Sequence, residues 1–118
     1  MVVWPWPLYD NQVPMKRVCF KMKLYPGKEQ EYKKRHAEIW PELQQLLTST
    51  GIHEYTICLD PETLILFSML RMDDPARLDE LPAHAIMQKW WAYMSDIMEV
   101  NPDNSPISLP LTEVFYMS

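Results

Sequence analysis

An α+β fold of the ferredoxin-like, split-βαβ type is what the pattern of this chain predicts, and three observations predict it. Apolar and polar residues alternate over 17–25 and 53–59, the period of strands with one buried face, and 64–72 and 111–117 read as two further strands. Between them, from the Pro26-Gly27 turn to about Thr50 and again over 83–98, apolar residues recur three and four apart, the period of amphipathic helices. The resulting order is β-α-β-β-α-β. Helices on one face of such a sheet leave the other face bare, and residues 64–72 are apolar on both sides. Two sheets pairing face to face would cover that surface, giving a homodimer of the dimeric α/β barrel kind.

Each element has its own signal. Residues 1–15 hold Trp4-Pro5-Trp6-Pro7 and Pro14, and prolines at that density exclude helix and interior strand. They read as an N-terminal arm ahead of a single domain over 16–118. In the first strand Val18, Phe20, Met22 and Leu24 take one side and Cys19, Lys21, Lys23 and Tyr25 the other. Gly51 suits the residue after a helix C-terminus, and Pro41 demands a kink near Trp40 or a break into two helices. The second strand puts His53, Tyr55, Ile57 and Leu59 on one face, and Asp60-Pro61-Glu62 turns the chain into the third. Asp74-Pro75 pairs an N-cap with a proline at the first helical position, opening a short helix that Pro82 interrupts. The next helix carries Met87, Trp90, Trp91, Met94 and Ile97 along its apolar stripe.

Composition bounds the function. A chain of 118 residues, 47% apolar and 23% charged, makes one globular domain. Its net charge of −5 argues against nucleic acid as a partner. No run approaches the length of a membrane span, and nothing resembles a secretory signal, so the expected location is the cytoplasm. Cys19 and Cys58 fit a reducing compartment, and a bond between them is not expected, because the first and second strands are not neighbours in this topology. The three histidines, His36, His53 and His84, lack zinc-ligand spacing with either cysteine, and two glycines leave no room for a phosphate loop. The chain is therefore expected to work without metal or cofactor.

The most informative stretch is Tyr32-Lys33-Lys34-Arg35-His36-Ala37-Glu38-Ile39-Trp40-Pro41-Glu42-Leu43. Tyr32 and His36 stand four apart on one helical face, continued by Ile39, Trp40 and Leu43, while Glu29, Glu31, Lys33 and Arg35 suit the watered face. Taken alone, the segment fits equally a core histidine bonded to a backbone carbonyl, since inward polar groups must find partners either way. His53 reads as structural and His84 as solvent-exposed. With helices laid over the sheet, Tyr32 and His36 can meet Tyr55 from the second strand and Trp90-Trp91 from the last helix. That set offers one group titrating near neutrality, two phenols and flat apolar rings, without a carboxylate pair. It can move protons on a small neutral ligand rich in hydroxyls, which suits tautomerisation or sugar chemistry.

Several segments resemble one family. The run from Tyr32 to Leu43, Gln88-Lys89-Trp90-Trp91-Ala92-Tyr93-Met94, Asn101-Pro102-Asp103-Asn104-Ser105-Pro106 and Glu113-Val114-Phe115-Tyr116 are similar to motifs of the L-rhamnose mutarotases, at their spacing, from about Arg17 onward. The resemblance implies a homodimeric α/β barrel that interconverts the α and β anomers of L-rhamnose without cofactor. It implies His36 as the proton-donating histidine, Tyr32 and Tyr55 as sugar-contacting tyrosines, and Trp90 and Trp91 as the paired tryptophans. The arm of residues 1–15 precedes the family pattern. Dimeric α/β barrels also host cofactor-independent monooxygenases and cyclases, and non-enzymatic small-ligand-binding proteins, and these are the alternatives the residues leave open.

Overall fold

The computed structural model describes residues 15–118, so the proline- and tryptophan-rich arm, all but Met15, lies outside the described residues. The elements run β1 (Lys16–Lys23), α1 (Glu29–Ala37), α2 (Pro41–Ser49), β2 (His53–Asp60), β3 (Ile65–Met72), a 3₁₀ segment (Pro75–Ala83), α3 (Ala85–Met94) and β4 (Leu109–Leu111). The strands form one sheet in the order β2-β3-β1-β4, with every neighbouring pair antiparallel. This is a small α+β fold, as the sequence pattern predicts.

The sheet has one covered face and one bare face. Leu66, Ser68, Leu70 and Met72 of β3 are buried beneath the helices, whereas Phe67 and Met69 remain 42% and 41% exposed on the other side. Met22 and Leu24 continue the covered face and meet Leu43, Met87, Trp90 and Met94 from the helices in a single core. Cys19 and Cys58 are both free thiols, on β1 and β2 with β3 between them.

Pro41 breaks the first helical region in two. Helix α1 closes through the Glu38 N–H donating to the Lys34 carbonyl at 3.0 Å. Trp40 then takes an extended conformation (φ −66°, ψ 131°) before α2 begins on Pro41, as a residue preceding proline is driven to do. Gly51, at φ +94°, ends the second helix in the left-handed region that glycine occupies without cost. Asp74 caps the 3₁₀ segment by accepting from the Ala76 N–H at 3.2 Å; Pro82 within that segment keeps it apart from α3.

Three expectations need correction. The last helix stops at Met94 rather than 98; the chain turns inward there, burying Ile97 and Met98, and the Tyr25 N–H donates to the Ile97 carbonyl at 2.9 Å. The last strand covers three residues, not 111–117: pairing ends at Cys19↔Leu111, and Pro110 at its centre lacks a ladder donor. Beyond it, Val114 and Phe115 are 93% and 76% exposed, and the tail is held by Arg17, which forms two bonds to Glu113 at 2.6 and 3.0 Å. Finally, His53 does not share a face with Tyr55. A bulge between His53 and Thr56 sets His53 opposite Arg71, with Glu54 at φ 51°, so one extra residue reverses the alternation.

Leu43 is 1% exposed and joins α2 to the sheet. Leu43→Ala should destabilise the fold by about 2–5 kcal/mol, read as a lowered urea midpoint with an unchanged slope.

Candidate active site

The broken helix and the covered sheet face enclose a cavity of about 1150 Å³. Tyr32 and His36 reach it from α1, one turn apart, with ring centroids 4.3 Å apart and planes 29° from parallel. The Trp90 ring of α3 meets His36 nearly at right angles, 5.4 Å between centroids. Trp40 in turn abuts Trp90 edge-on at 5.1 Å. Such edge-to-face pairs are favoured by the ring quadrupoles and hold a preferred geometry. The histidine thus stands between a phenol and an indole.

Its protonation follows from its neighbours. His36 Nδ1 lies 3.0 Å from the Tyr32 carbonyl oxygen, which can only accept, so Nδ1 carries the proton and neutral His36 leaves the Nε2 lone pair free. Burial pushes the imidazole below its ordinary value, with the Tyr32 carbonyl pulling the other way. Burial also raises the Tyr32 phenol well above the ordinary tyrosine range, and the nearby Tyr55 adds to this. The Tyr55 phenol is pushed up to about 12 by burial. Desolvation disfavours every charged form here. The site is a neutral base beside neutral phenols.

Tyr55 enters through the β2 bulge. It lies on the covered face with Ile57 and Leu59, with its ring 6.4 Å from that of Phe20. Although 40% of Tyr55 stays accessible, along the open cavity, its hydroxyl lies deep beside Ser68, which opposes part of the upward shift. Ser68 Oγ is itself buried without a partner in hydrogen-bonding geometry. The two tryptophans divide their roles: Trp90 is 6% exposed and packs behind His36, whereas Trp91 is half-buried and lines the cavity.

All five residues singled out from the sequence, Tyr32, His36, Tyr55, Trp90 and Trp91, line this one cavity. His84 is exposed at the start of α3 and His53 is exposed at the strand end. The sequence pattern misplaced three others. Glu29 and Lys33, assigned to the watered face, reach the cavity rim, and Glu29 has one carboxylate oxygen buried without a partner. Arg35, assigned to the same face, is buried at 9% exposure. This helix of nine residues buries more than one stripe, and the charge pattern that suits water also suits an arginine that finds carboxylates inside the fold. Among the described residues, no three His, Cys, Asp or Glu side chains come together as a metal site, and no helix is long and apolar enough to cross a membrane.

Comparison with known proteins shows the family. Residues 17–117 match the L-rhamnose mutarotase family. The L-rhamnose mutarotase of Bacteroides thetaiotaomicron is 56% identical over 103 residues, covering 87% of this chain and 99% of that one. The L-rhamnose mutarotase of Phocaeicola vulgatus is 53% identical over the same shares. The crystal structure of L-rhamnose mutarotase FA22100 from Formosa agariphila superimposes with a TM-score of 0.81 at 50% identity, covering 87% of this chain and 99% of that one. The chain belongs to the L-rhamnose mutarotase family.

The lowered His36 imidazole makes a prediction of definite sign. Below about pH 6.5 the unfolded chain takes up a proton that the folded imidazole resists, so the stability tied to a neutral His36 is fully present above that pH and falls as pH drops. Urea unfolding at about pH 7.5 and about pH 5.5 should show a larger loss in the parent than in His36→Gln.

Proposed function

We propose that this chain interconverts the α and β anomers of L-rhamnose, with His36 as the acid–base group and without cofactor. The observation that carries the reading is the stacked Tyr32–His36–Trp90 arrangement lining one cavity, in a chain whose family is the L-rhamnose mutarotases. Opening the pyranose ring removes a proton from the anomeric hydroxyl, delivers one to the ring oxygen and breaks the bond between C1 and that oxygen. Closure on the other face of the aldehyde reverses both transfers. His36 Nε2 moves the proton at one of these oxygens. The phenols of Tyr32 and Tyr55, neutral at physiological pH, bind sugar hydroxyls and relay the other proton. Trp91, open to the cavity, takes the apolar face and C6 methyl of the deoxy sugar; Trp90 backs the imidazole. One positioned acid–base group is worth about 10²–10⁴ in rate, so His36→Ala should slow anomer exchange by that factor, followed by NMR saturation transfer between the two anomeric protons. Tyr32→Phe and Tyr55→Phe should each cost about 1 kcal/mol or somewhat more. An His36→Ala variant that exchanges the anomers as fast as the parent would overturn the assignment.

The same reading makes the fold a ferredoxin-like one that works as a homodimeric α/β barrel, in the cytoplasm, where its free thiols fit. The bare sheet face with Phe67 and Met69, together with the apolar tail of Val114, Phe115 and Met117, supports a second copy as its cover, because monomers seldom expose a contiguous apolar area above a few hundred Å². Light scattering at micromolar concentration should give the dimer mass; a folded monomer by circular dichroism would refute it. The domain is 16–118, since the family match begins at residue 17, and the arm of residues 1–15 is dispensable. A chain starting at Met15 should fold, dimerise and retain full anomer exchange, and loss of dimerisation or of exchange would show that the arm has a part in the interface or the site.

A further inference from the structure

Arg35 is buried at 9% exposure, yet none of its polar contacts is to the cavity. Its Nε donates to Glu31 Oε2 at 2.8 Å within α1. Its Nη1 donates to the Tyr93 carbonyl at 2.6 Å and to Asp96 Oδ1 at 2.9 Å, and its Nη2 to Asp96 Oδ2 at 3.3 Å. The Tyr93 carbonyl belongs to the last turn of α3, one of the four that a helix leaves without an internal partner. The guanidinium carbon also sits 4.2 Å over the Tyr93 ring. That ring stacks on Trp40 at 5.5 Å and abuts Trp90 at 5.7 Å, and Trp90 is the ring that meets His36 edge-on. The arginine is therefore bonded to the helix of His36, to the end of the helix of Trp90, and packed against the rings between them.

Helix α1 needs such an anchor. It has nine residues and no side-chain bond at its N-cap, and a helix of that length is not stable by itself in water. Its backbone runs with little close packing along any other element, so its rotation about its own axis is set by side chains. Only a planar, forked cation can reach a carboxylate with two nitrogens and a carbonyl with one of them.

We propose that Arg35, together with Asp96, is a positioning residue that sets α1 against α3 and so aims His36 from the Trp90 ring into the cavity. The proposal rests on the reading of His36 as the acid–base group. Asp96 is 64% exposed at its side chain, so its removal leaves the core intact.

Arg35→Ala and Asp96→Ala should lower kcat for anomer exchange, Arg35→Ala by roughly 10–100-fold, the effect of about an ångström of misplacement, with KM little changed. In both, the shift that the Trp90 ring imposes on the His36 ring protons should move toward the free-histidine value, read by NMR without substrate. Arg35→Lys keeps the charge without the fork and should restore thermal stability more than kcat. The proposal is overturned if folded Arg35→Ala and Asp96→Ala keep the parent kcat, or if they lose kcat while the His36 ring protons keep their parent shifts. If Arg35→Ala does not fold, Asp96→Ala decides alone, and parent kcat with parent shifts in that variant overturns the proposal. Displaced His36 ring protons in Arg35→Ala beside a fully active His36→Ala would leave the clamp standing and sink the acid–base assignment instead.

Discussion

The ring of Pro41 drives the residue before it out of the helical region, and much of the cavity depends on that constraint. Without the break, residues 29–49 would continue as one straight helix of about 30 Å at 1.5 Å per residue. Such a rod could not follow the curvature of a twisted four-stranded sheet. The break sends Trp40 inward in an extended conformation, where its ring braces Trp90 and Tyr93. It also lets α1 and α2 take separate directions, so that α2 seals the core through Leu43 while α1 presents Tyr32 and His36. One proline ring thus separates the part of the helical layer that seals the core from the part that lines the cavity.

The chemistry is set by desolvation more than by charge. Each titratable group facing the cavity from Tyr32, His36 and Tyr55 is moved toward its neutral form, and burial is the first cause in every case. Where ions are paired, as at Arg35 with Asp96 or Arg17 with Glu113, the pairs lie outside this polar set. A neutral set of inner groups, with Glu29 and Lys33 at the rim, suits a neutral ligand, whose hydroxyls can be held by donors and acceptors without displacing a counter-ion.

Much of this was legible in the residues, for reasons that also explain what was not. Alternation marks β1 and β2 to within a residue or two, because half-buried strands impose a period of two on composition, and a continuous apolar run marks β3. The helix break was readable because Pro41 acts through covalent structure, independent of context. The bulge in β2 left no mark, since Glu54 in a left-handed conformation is a residue that sequence rules would not place there. The short β4 differs from the expected 111–117 because a run of β-prone residues is silent on whether a neighbour exists to pair with. Arg35 reads as watered because its i−4 partner Glu31 makes an ion pair that suits a solvated face, whereas Asp96 and the Tyr93 carbonyl, brought in by the fold, bury it. Tyr32, His36, Tyr55, Trp90 and Trp91 were found together because their period and their resemblance to one family agreed.

The carbonyl of Tyr32 that fixes the His36 tautomer belongs to the main chain, and it is the same group that accepts the i−4 bond of the helix. No substitution at position 32 can delete it. Drift in the side chains at 32, 55 or 91 can reshape what the cavity admits while the orientation of the imidazole nitrogen is inherited unchanged from the helical backbone. The nitrogen that His36 turns to the cavity and the shape of that cavity are therefore written in separable parts of the molecule, an arrangement in which one can change while the other is held by backbone geometry alone.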